Sequence, residues 1–552
     1  MPAAWVAIAL ACPAARAQGP PDPIPPPVPA HPAPTGAGPQ VSVDQLAERL
    51  LAMERQNRAL AEELQRTRAE HEEQMRLILD RLDEVSGRFV TAEDPAPPPD
   101  GASPPGAMPF DPRQVENPVP DYTEGQFAPD TPAPGYPLPS IVEPGRSLLN
   151  GSFGPGFRFR THDGEFRLKV NYESQVEGRV WDPSDQQPAN SGIYLPRQRI
   201  FFSGNITKPI EYEFAINRGF GGLNLLNAYL NFHVDDRFEL RMGRFFTPLF
   251  YDQYAISNYW LMQPERSVFT TNLSLNRQFG AMAWGYLFDK RLDYAAGAFN
   301  GSRNSFEPLT NGLDFVGYLN ARPFQMSEAL PAARFLNLGA SVGFGHQDQS
   351  PVPRSFRIAG GSPSADVPGP ATVPFLILDP GVAERGDRLI GSVHAAYFHK
   401  GLSLIGEWQY GYGGYAAPGA GSSTRVPFSG FYASGGYFLT GEEVERRSRL
   451  YPLRPLIPTR EGDRRGIGAW ELTGRVSTLE LGRQVFEAGL ANPELWSNRA
   501  VTTELGANWY WNEYMKVYIF WLHGAFADPV LYAPGRLQET ADMFWLRFQL
   551  YF

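Results

Sequence analysis

The chain has 552 residues, with 49 Lys and Arg against 59 Asp and Glu, 53 Pro, 55 Gly and a single cysteine, Cys12. The net charge of −10 argues against a nucleic-acid binder, which needs a basic face. One cysteine rules out an intrachain disulfide framework or a cysteine-based zinc site. Mean hydropathy is −0.32, and beyond the N-terminus no run reaches the roughly 18 apolar residues that a membrane helix needs. A transmembrane β-barrel is not excluded, because its strands alternate apolar and polar residues.

Residues 1–17, "MPAAWVAIALACPAARA", read as a secretory signal. An apolar stretch over residues 3–12 precedes an Ala15-Arg16-Ala17 cleavage site. The usual basic n-region is missing, which leaves room for a start upstream. Cys12 follows Ala9-Leu10-Ala11, a poor lipoprotein site, so ordinary cleavage is the preferred reading. The exported chain would then carry no cysteine, as suits an oxidising compartment.

Residues 18–40 are too rich in proline for helix or sheet interior and read as an extended spacer. Residues 41–88 switch to Leu, Glu, Arg, Gln and Ala. Val43, Leu46, Leu50, Met53, Asn57, Leu60 and Leu64, then Met75, Ile78, Leu82 and Val85, follow heptad spacing. The two runs are offset by a four-residue stutter through Thr67, His71 and Met75. Asn57 on a core position is a register-setting amide. A single solvated helix is the plainer alternative, but the length of the pattern favours a coiled coil and therefore an oligomer. Residues 91–150 contain 16 prolines among small and polar residues, a disordered linker in composition.

From residue 151 the pattern becomes period two. In "EFRLKVNYESQVEGRV" (165–180), Phe166, Leu168, Val170, Tyr172 and Val176 oppose charged and amide residues. Sixteen such segments follow, near 164–180, 197–207, 210–219, 223–234, 237–246, 278–288, 292–301, 313–324, 334–346, 388–400, 402–413, 427–439, 467–480, 499–512, 515–525 and 541–552. Short connections such as Lys208-Pro209, Asp289-Lys290 and Lys400-Gly401 alternate with long ones such as 247–277, 347–387 and 481–498; 440–466 is long on the short side. Even strand number with short turns at one end and long loops at the other is the grammar of an outer-membrane barrel. The fold class is thus all-β: a 16-stranded antiparallel transmembrane β-barrel over 151–552, preceded by a coiled-coil helix and Pro-rich linkers. Tyr251, Tyr254, Tyr259, Trp260, Trp408, Trp509, Trp511 and Trp521 are expected in the interfacial aromatic girdles.

"LPRQRIFFSGNITKPIEYEFAIN", "LLNAYLNFHVDDRFELRMGRFFTPLF", "QPERSVF", "GAFNG", "YFLTGEEVERRS", "GAWELTGRVSTLEL" and "ELGANWYWNEYMKVYIFW", in that order from about 160 to 552, resemble the phosphate-selective porin O and P family. The resemblance covers the barrel and none of residues 1–150. It implies a trimeric outer-membrane channel, narrowed by inward-folded loops and lined by arginines and lysines that conduct anions. The loop after "GRFFTP", with "PERS" at Pro264–Ser267, falls where the family's third, constricting loop lies.

An anion pore needs cations fixed on the lumen face, where confinement limits screening, and the planar fork of arginine suits phosphate. Alternation places Arg167, Lys169, Arg179, Arg197, Arg199, Arg241, Arg475 and Arg547 inward, while Arg266 and Arg277, around the third loop, are candidates to line the constriction. Glu165, Glu173, Glu177, Glu211, Glu213, Glu239, Glu407, Glu471 and Glu504 share the inward phase, so Arg–Glu networks that stiffen the wall are the competing reading. The Gly-rich "GYGGYAAPGAG" (411–421) lacks a following Lys-Ser/Thr and is not a phosphate loop. The histidines are scattered, and no nucleophile elbow stands on a strand-to-helix turn. No enzyme activity, metal or cofactor is expected. The function reads as a passive diffusion porin for small hydrophilic solutes, possible anion or phosphate preference included. The alternative is an envelope tether in which the barrel anchors and 41–88 contacts the cell wall from the periplasm. The C-terminal "FWLRFQLYF" is expected to close the barrel against the first strand, with Phe552 presented to the outer-membrane assembly machinery.

Overall fold

The structure, a computed structural model, describes residues 149–184, 189–219, 222–304, 306–360 and 372–552. The signal, the Pro-rich spacer, the coiled coil and nearly all of the 91–150 linker lie outside the described residues.

Two short strands, β1 (Leu149–Phe153) and β2 (Phe157–Thr161), form a hairpin. The barrel strands follow: β3 (Arg167–Asp182), β4 (Gly192–Thr207), β5 (Ile210–Gly219), β6 (Gly222–Asp235), β7 (Phe238–Phe246), β8 (Arg277–Leu287), β9 (Leu292–Phe299), β10 (Asp314–Ala321) and β11 (Phe335–Gln349). A loop-borne pair, β12 (Ser355–Arg357) and β13 (Pro374–Ile377), intervenes. The wall resumes with β14 (Ala383–His399), β15 (Leu402–Ala416), β16 (Thr424–Phe438), β17 (Ala469–Leu481), β18 (Arg499–Tyr510), β19 (Met515–Ala533) and β20 (Arg536–Tyr551). Every neighbouring pair is antiparallel, and β20 pairs with β3 from Asp542↔Asp182 to Tyr551↔Glu173. Leaving aside the hairpin, the 18-stranded sheet is a closed barrel of sixteen strands, and closure removes the open edges that lipid would not tolerate.

Alternation decides which side chains meet lipid. On β20, Phe544 and Leu546 are 57% and 55% exposed outward, whereas Trp545 and Arg547 are 2% and 0% exposed inside. The sixteen expected segments each coincide with one wall strand, but β19 and β20 run further than the pattern indicated. Their connection is Pro534-Gly535 alone, and the Ala525–Val530 stretch, which reads as a strand end, is an irregularity within a continuing pair. The β1–β2 hairpin lies ahead of the first of the sixteen expected segments.

The girdle expectation needs correction. Tyr251, Tyr254 and Tyr259 are buried within the barrel, in the 247–276 loop with Trp260. Trp408 does face outward, 51% exposed. The largest hydrophobic cluster also lies inside the wall, where Leu249, Phe250 and Phe269 meet Phe356 and Phe375 of the 350–382 loop and Val485 and Leu490 of the 482–498 loop.

Candidate functional site: an arginine-lined constriction

The 247–276 loop, hereafter L3, enters the lumen directly after β7. Its base is closed by Thr247, whose N–H and hydroxyl both donate to the Asn276 carbonyl at 2.9 Å. Phe250, completely buried, adopts φ 66°, a left-handed conformation costly for a bulky residue. It turns the chain into a short helix, α1 (Tyr251–Tyr254), and its N–H is held by the Ser341 hydroxyl at 3.1 Å. A second helix, α2 (Val268–Leu273), starts at Ser267, whose side chain accepts from the Thr270 N–H, the expected N-cap chemistry.

Six successive wall strands then grip L3. Glu407 on β15 accepts from the Tyr251 N–H at 2.9 Å, and Ser434 on β16 donates to Gln263 at 2.9 Å. Ser477 on β17 accepts from the Val268 N–H, and Asn508 on β18 donates to the Met262 carbonyl at 2.8 Å. Lys516 on β19 donates to the Leu261 carbonyl at 2.8 Å, and Gln549 on β20 to the Tyr259 carbonyl at 3.0 Å. Tyr259 stacks on Tyr551 with centroids 3.9 Å apart. Space for the loop is written into the wall: a Cβ at Gly436 would lie 2.8 Å from the Met262 sulfur.

L3 therefore fills the side of the lumen beneath β15–β20 and leaves a gap towards β4. Loop 350–382 (L5) narrows that gap. Asn272 of L3 donates to the Arg357 carbonyl at 2.8 Å and accepts from the Arg357 N–H at 2.9 Å, so one amide satisfies both backbone groups of a strand edge. Arg179 on β3 donates to the Gly360 carbonyl at 2.9 Å. Between these elements lies a cavity of about 100 Å³ whose lining includes Arg197, Arg199, Arg266, Arg277, Arg303 and Arg357, with Glu265 as the lining carboxylate. Glu265 is itself spoken for: it accepts from both terminal nitrogens of Arg197, at 2.7 and 2.6 Å, and from Arg547 at 2.7 Å. Burial raises the cost of its charge, but the Arg197 and Arg547 guanidinium groups outweigh that and hold its carboxyl well below the usual range.

Of the arginines and the lysine singled out from the sequence, Arg197, Arg199, Arg266 and Arg277 surround the cavity. Arg277 lies 3.6 Å from the Phe246 ring centroid and donates to the Asn227 amide oxygen at 2.7 Å, which restrains its guanidinium. Arg167 and Lys169 sit at the opposite end of β3, beside the hairpin. Arg241 is buried among Tyr229, Trp284 and Phe245, 4.3 Å from the first ring, a cation–π site behind the lumen surface. Arg475 pairs with Glu504 at 2.5 Å and bonds the Arg266 carbonyl at 3.1 Å. Arg547 pairs with Glu177 at 2.5 Å and also bonds the Pro264 carbonyl. Both fasten L3 to the wall. Arg303 and Arg357 escaped the sequence reading, because loop residues have no alternating phase to reveal which way they face. No group of residues able to hold a metal occurs among the described residues.

A closed sixteen-strand barrel with a lipid-facing apolar surface, inward-folded loops and an arginine-lined cavity between them defines an outer-membrane porin. No curated protein matches the chain significantly. The chain belongs to the phosphate-selective porin O and P family, whose model matches residues 166–343 and 383–528. The gap between these matched blocks spans L5 and so includes Arg357. Among solved structures it is similar to the trimer form of OmpT of Vibrio cholerae (9% identity, TM-score 0.41, 70% of this chain and 100% of that chain). It is also similar to the anion-selective porin from Comamonas acidovorans (12%, 0.41, 70% and 100%) and to the outer membrane channel DcaP of Acinetobacter baumannii (9%, 0.43, 71% and 99%).

Proposed function

We propose that this porin passes small hydrophilic solutes by diffusion and favours anions, phosphate-bearing ones among them, at the constriction between β4, L3 and L5. The observation that carries the reading is the excess of arginine over carboxylate around the cavity between β4, L3 and L5. Among the described residues six arginines and one carboxylate line it; that carboxylate, Glu265, is bound to Arg197 and Arg547, and Arg199 pairs with Glu173 behind the lining at 3.2 Å. In a narrow, poorly screened passage such an array lowers the energy of an entering anion and raises that of a cation. The arginine forks offer phosphate bidentate contacts that chloride cannot use. Exit stays fast because the lining donors are shared among protein carbonyls and amides as well as the solute. Three copies are the assembly that the family resemblance implies, and the homotrimer is part of the proposal.

Planar-bilayer recording tests it. In a salt gradient the reversal potential should report anion selectivity, and added phosphate should reduce chloride current. Cation selectivity without phosphate block overturns the anion assignment; absence of any channel overturns the porin reading. Sizing the detergent-purified protein tests the trimer.

A further inference from the structure

The 439–468 connection is far longer than its neighbours on the short-turn end. It is built against the barrel's exterior at the aromatic girdle. Trp470 and Trp509 occupy the lipid-facing phase and stack with centroids 5.1 Å apart, and Trp511 meets Trp509 edge-on at 5.2 Å. The connection bonds directly to these residues: the Trp509 indole donates to the Ile467 carbonyl at 2.7 Å, and the Leu456 N–H donates to the Trp511 carbonyl at 2.8 Å. Its two arms pair with each other, with Gly466 N–H to the Pro455 carbonyl at 2.8 Å and Gly468 N–H to the Arg454 carbonyl at 3.0 Å. A tryptophan girdle marks the level of the lipid head groups, so this ladder fixes the connection at that level.

The side chains it presents there are of two kinds. Leu453 and Ile467 are 66% and 65% exposed, more than an aqueous surface explains when they adjoin a girdle. Arg454, Arg464 and Arg465 are exposed, and no ion pair or hydrogen bond engages their guanidinium groups among the described residues. The connection also carries the exposed carboxylates Glu443 and Glu445. Arg460 pairs with Glu513 at 2.8 Å, the Asp463 carboxylate accepts from the backbone N–H groups of Thr459 and Arg460, and Glu461 is exposed.

We infer that this flank is a binding site for an anionic glycerophospholipid of the leaflet at the short-turn end. Leu453 and Ile467 meet the acyl boundary, and Arg454, Arg464 and Arg465 hold the head-group phosphate. The occupant is chosen by charge complementarity and by depth: cations at a girdle, flanked by apolar side chains, face phosphodiesters rather than bulk solution. The inference rests on the membrane placement of the barrel but not on the selectivity of its pore.

The test is native mass spectrometry of the purified full chain, titrated with an equimolar mixture of phosphatidylglycerol and phosphatidylcholine. Wild type should retain phosphatidylglycerol preferentially. The R454Q/R464Q/R465Q variant should lose that preference by at least about tenfold, since each interfacial cation contributes about fivefold. Equal retention by wild type and variant overturns the inference. So does displacement of the lipid by equimolar inorganic phosphate, which would mark a simple anion site. A variant that dissociates into protomers with lipid retention unchanged would make the flank a contact between copies and would also overturn it. Single-channel recording of the same preparations separates the two proposals: unaltered conductance certifies that the variant is folded, and a wild type with no conductance removes the porin reading while leaving the lipid result to stand alone.

Discussion

Arg547, on the strand that closes the barrel, and Glu265, near the tip of L3, form a 2.7 Å ion pair, with side-chain exposures of 1% and 9%. The same carboxylate is clasped by Arg197 at 2.6 Å, so one loop residue ties together β4, L3 and β20. Glu265 thereby sets both the position of the loop and the net charge of the passage.

Glu265→Gln should separate these roles. Breaking a buried pair costs about 3–5 kcal/mol, part of which falls on L3 anchoring, so open-channel noise should rise. Arg197 would meanwhile lose its neutralising partner, and the reversal potential should move towards greater anion selectivity. An unchanged reversal potential would show that Glu265 does not set the field of the pore.

The pH response follows from the same group. Because its folded carboxyl is held below the ordinary range, it contributes stability that is complete above the unfolded value of about 4.3 and is lost as pH falls through the lower folded value. Noise arising from L3 should therefore stay constant between about pH 8 and pH 5 and rise only below about pH 4. Noise that rises already near pH 6 would point to a different group.

Arg357 lies outside the family match yet lines the cavity. Arg357→Gln should weaken phosphate block of chloride current by about ten- to a hundredfold, the scale of one hydrogen bond to a charged group, with little change in unitary conductance. Equal block by phosphate in variant and wild type would remove L5 from the anion path.

Asn272→Ala should loosen L5 without touching a charge. It strips the Arg357 N–H and C=O of their partners, and a buried backbone group left unsatisfied costs about 1–3 kcal/mol. Limited proteolysis of the intact barrel should then cut faster within 353–360 than in wild type. Identical protection would mean that the L3–L5 bond is dispensable.

Phe552→Ala should slow barrel assembly more than it alters conductance. The ring meets Phe153, Phe157 and Tyr172 at 6.1, 6.1 and 5.9 Å, and its backbone carbonyl accepts from the Asn171 amide at 2.9 Å. The fraction showing heat-modifiable electrophoretic mobility, measured over time, is the readout; wild-type kinetics would count against a role for this ring.

Most of the wall was legible because membrane strands obey a single rule, and a period of two assigns every residue of a strand once one is assigned. That rule put Arg197 and Arg199 inward and Phe544 and Leu546 outward. It could not tell Arg199, at the cavity, from Arg241, on the same face but behind three aromatic rings, because that distinction depends on where L3 lies. It was silent on Arg303 and Arg357, and it misled for Tyr251, Tyr254 and Tyr259, whose aromatic character suits a lipid interface and a buried loop equally. The Glu504 and Glu177 partners of Arg475 and Arg547 are expected from the sequence only as a class, since pairing across strands needs the register; the Arg447–Glu471 pair is not, because Arg447 lies in a connection without alternating phase.

The hairpin adds a kinetic consequence. β2 pairs with the first residues of β3, from Arg160↔Arg167 to Phe157↔Val170, and β20 pairs along the remainder of the same edge. The first pairing joins neighbours in sequence and forms quickly; the second spans nearly the whole barrel and comes late. While the intervening strands are being laid down, β3 therefore waits with only part of its edge bare, and β1–β2 serves as a stop that leaves a single register for the arriving strand.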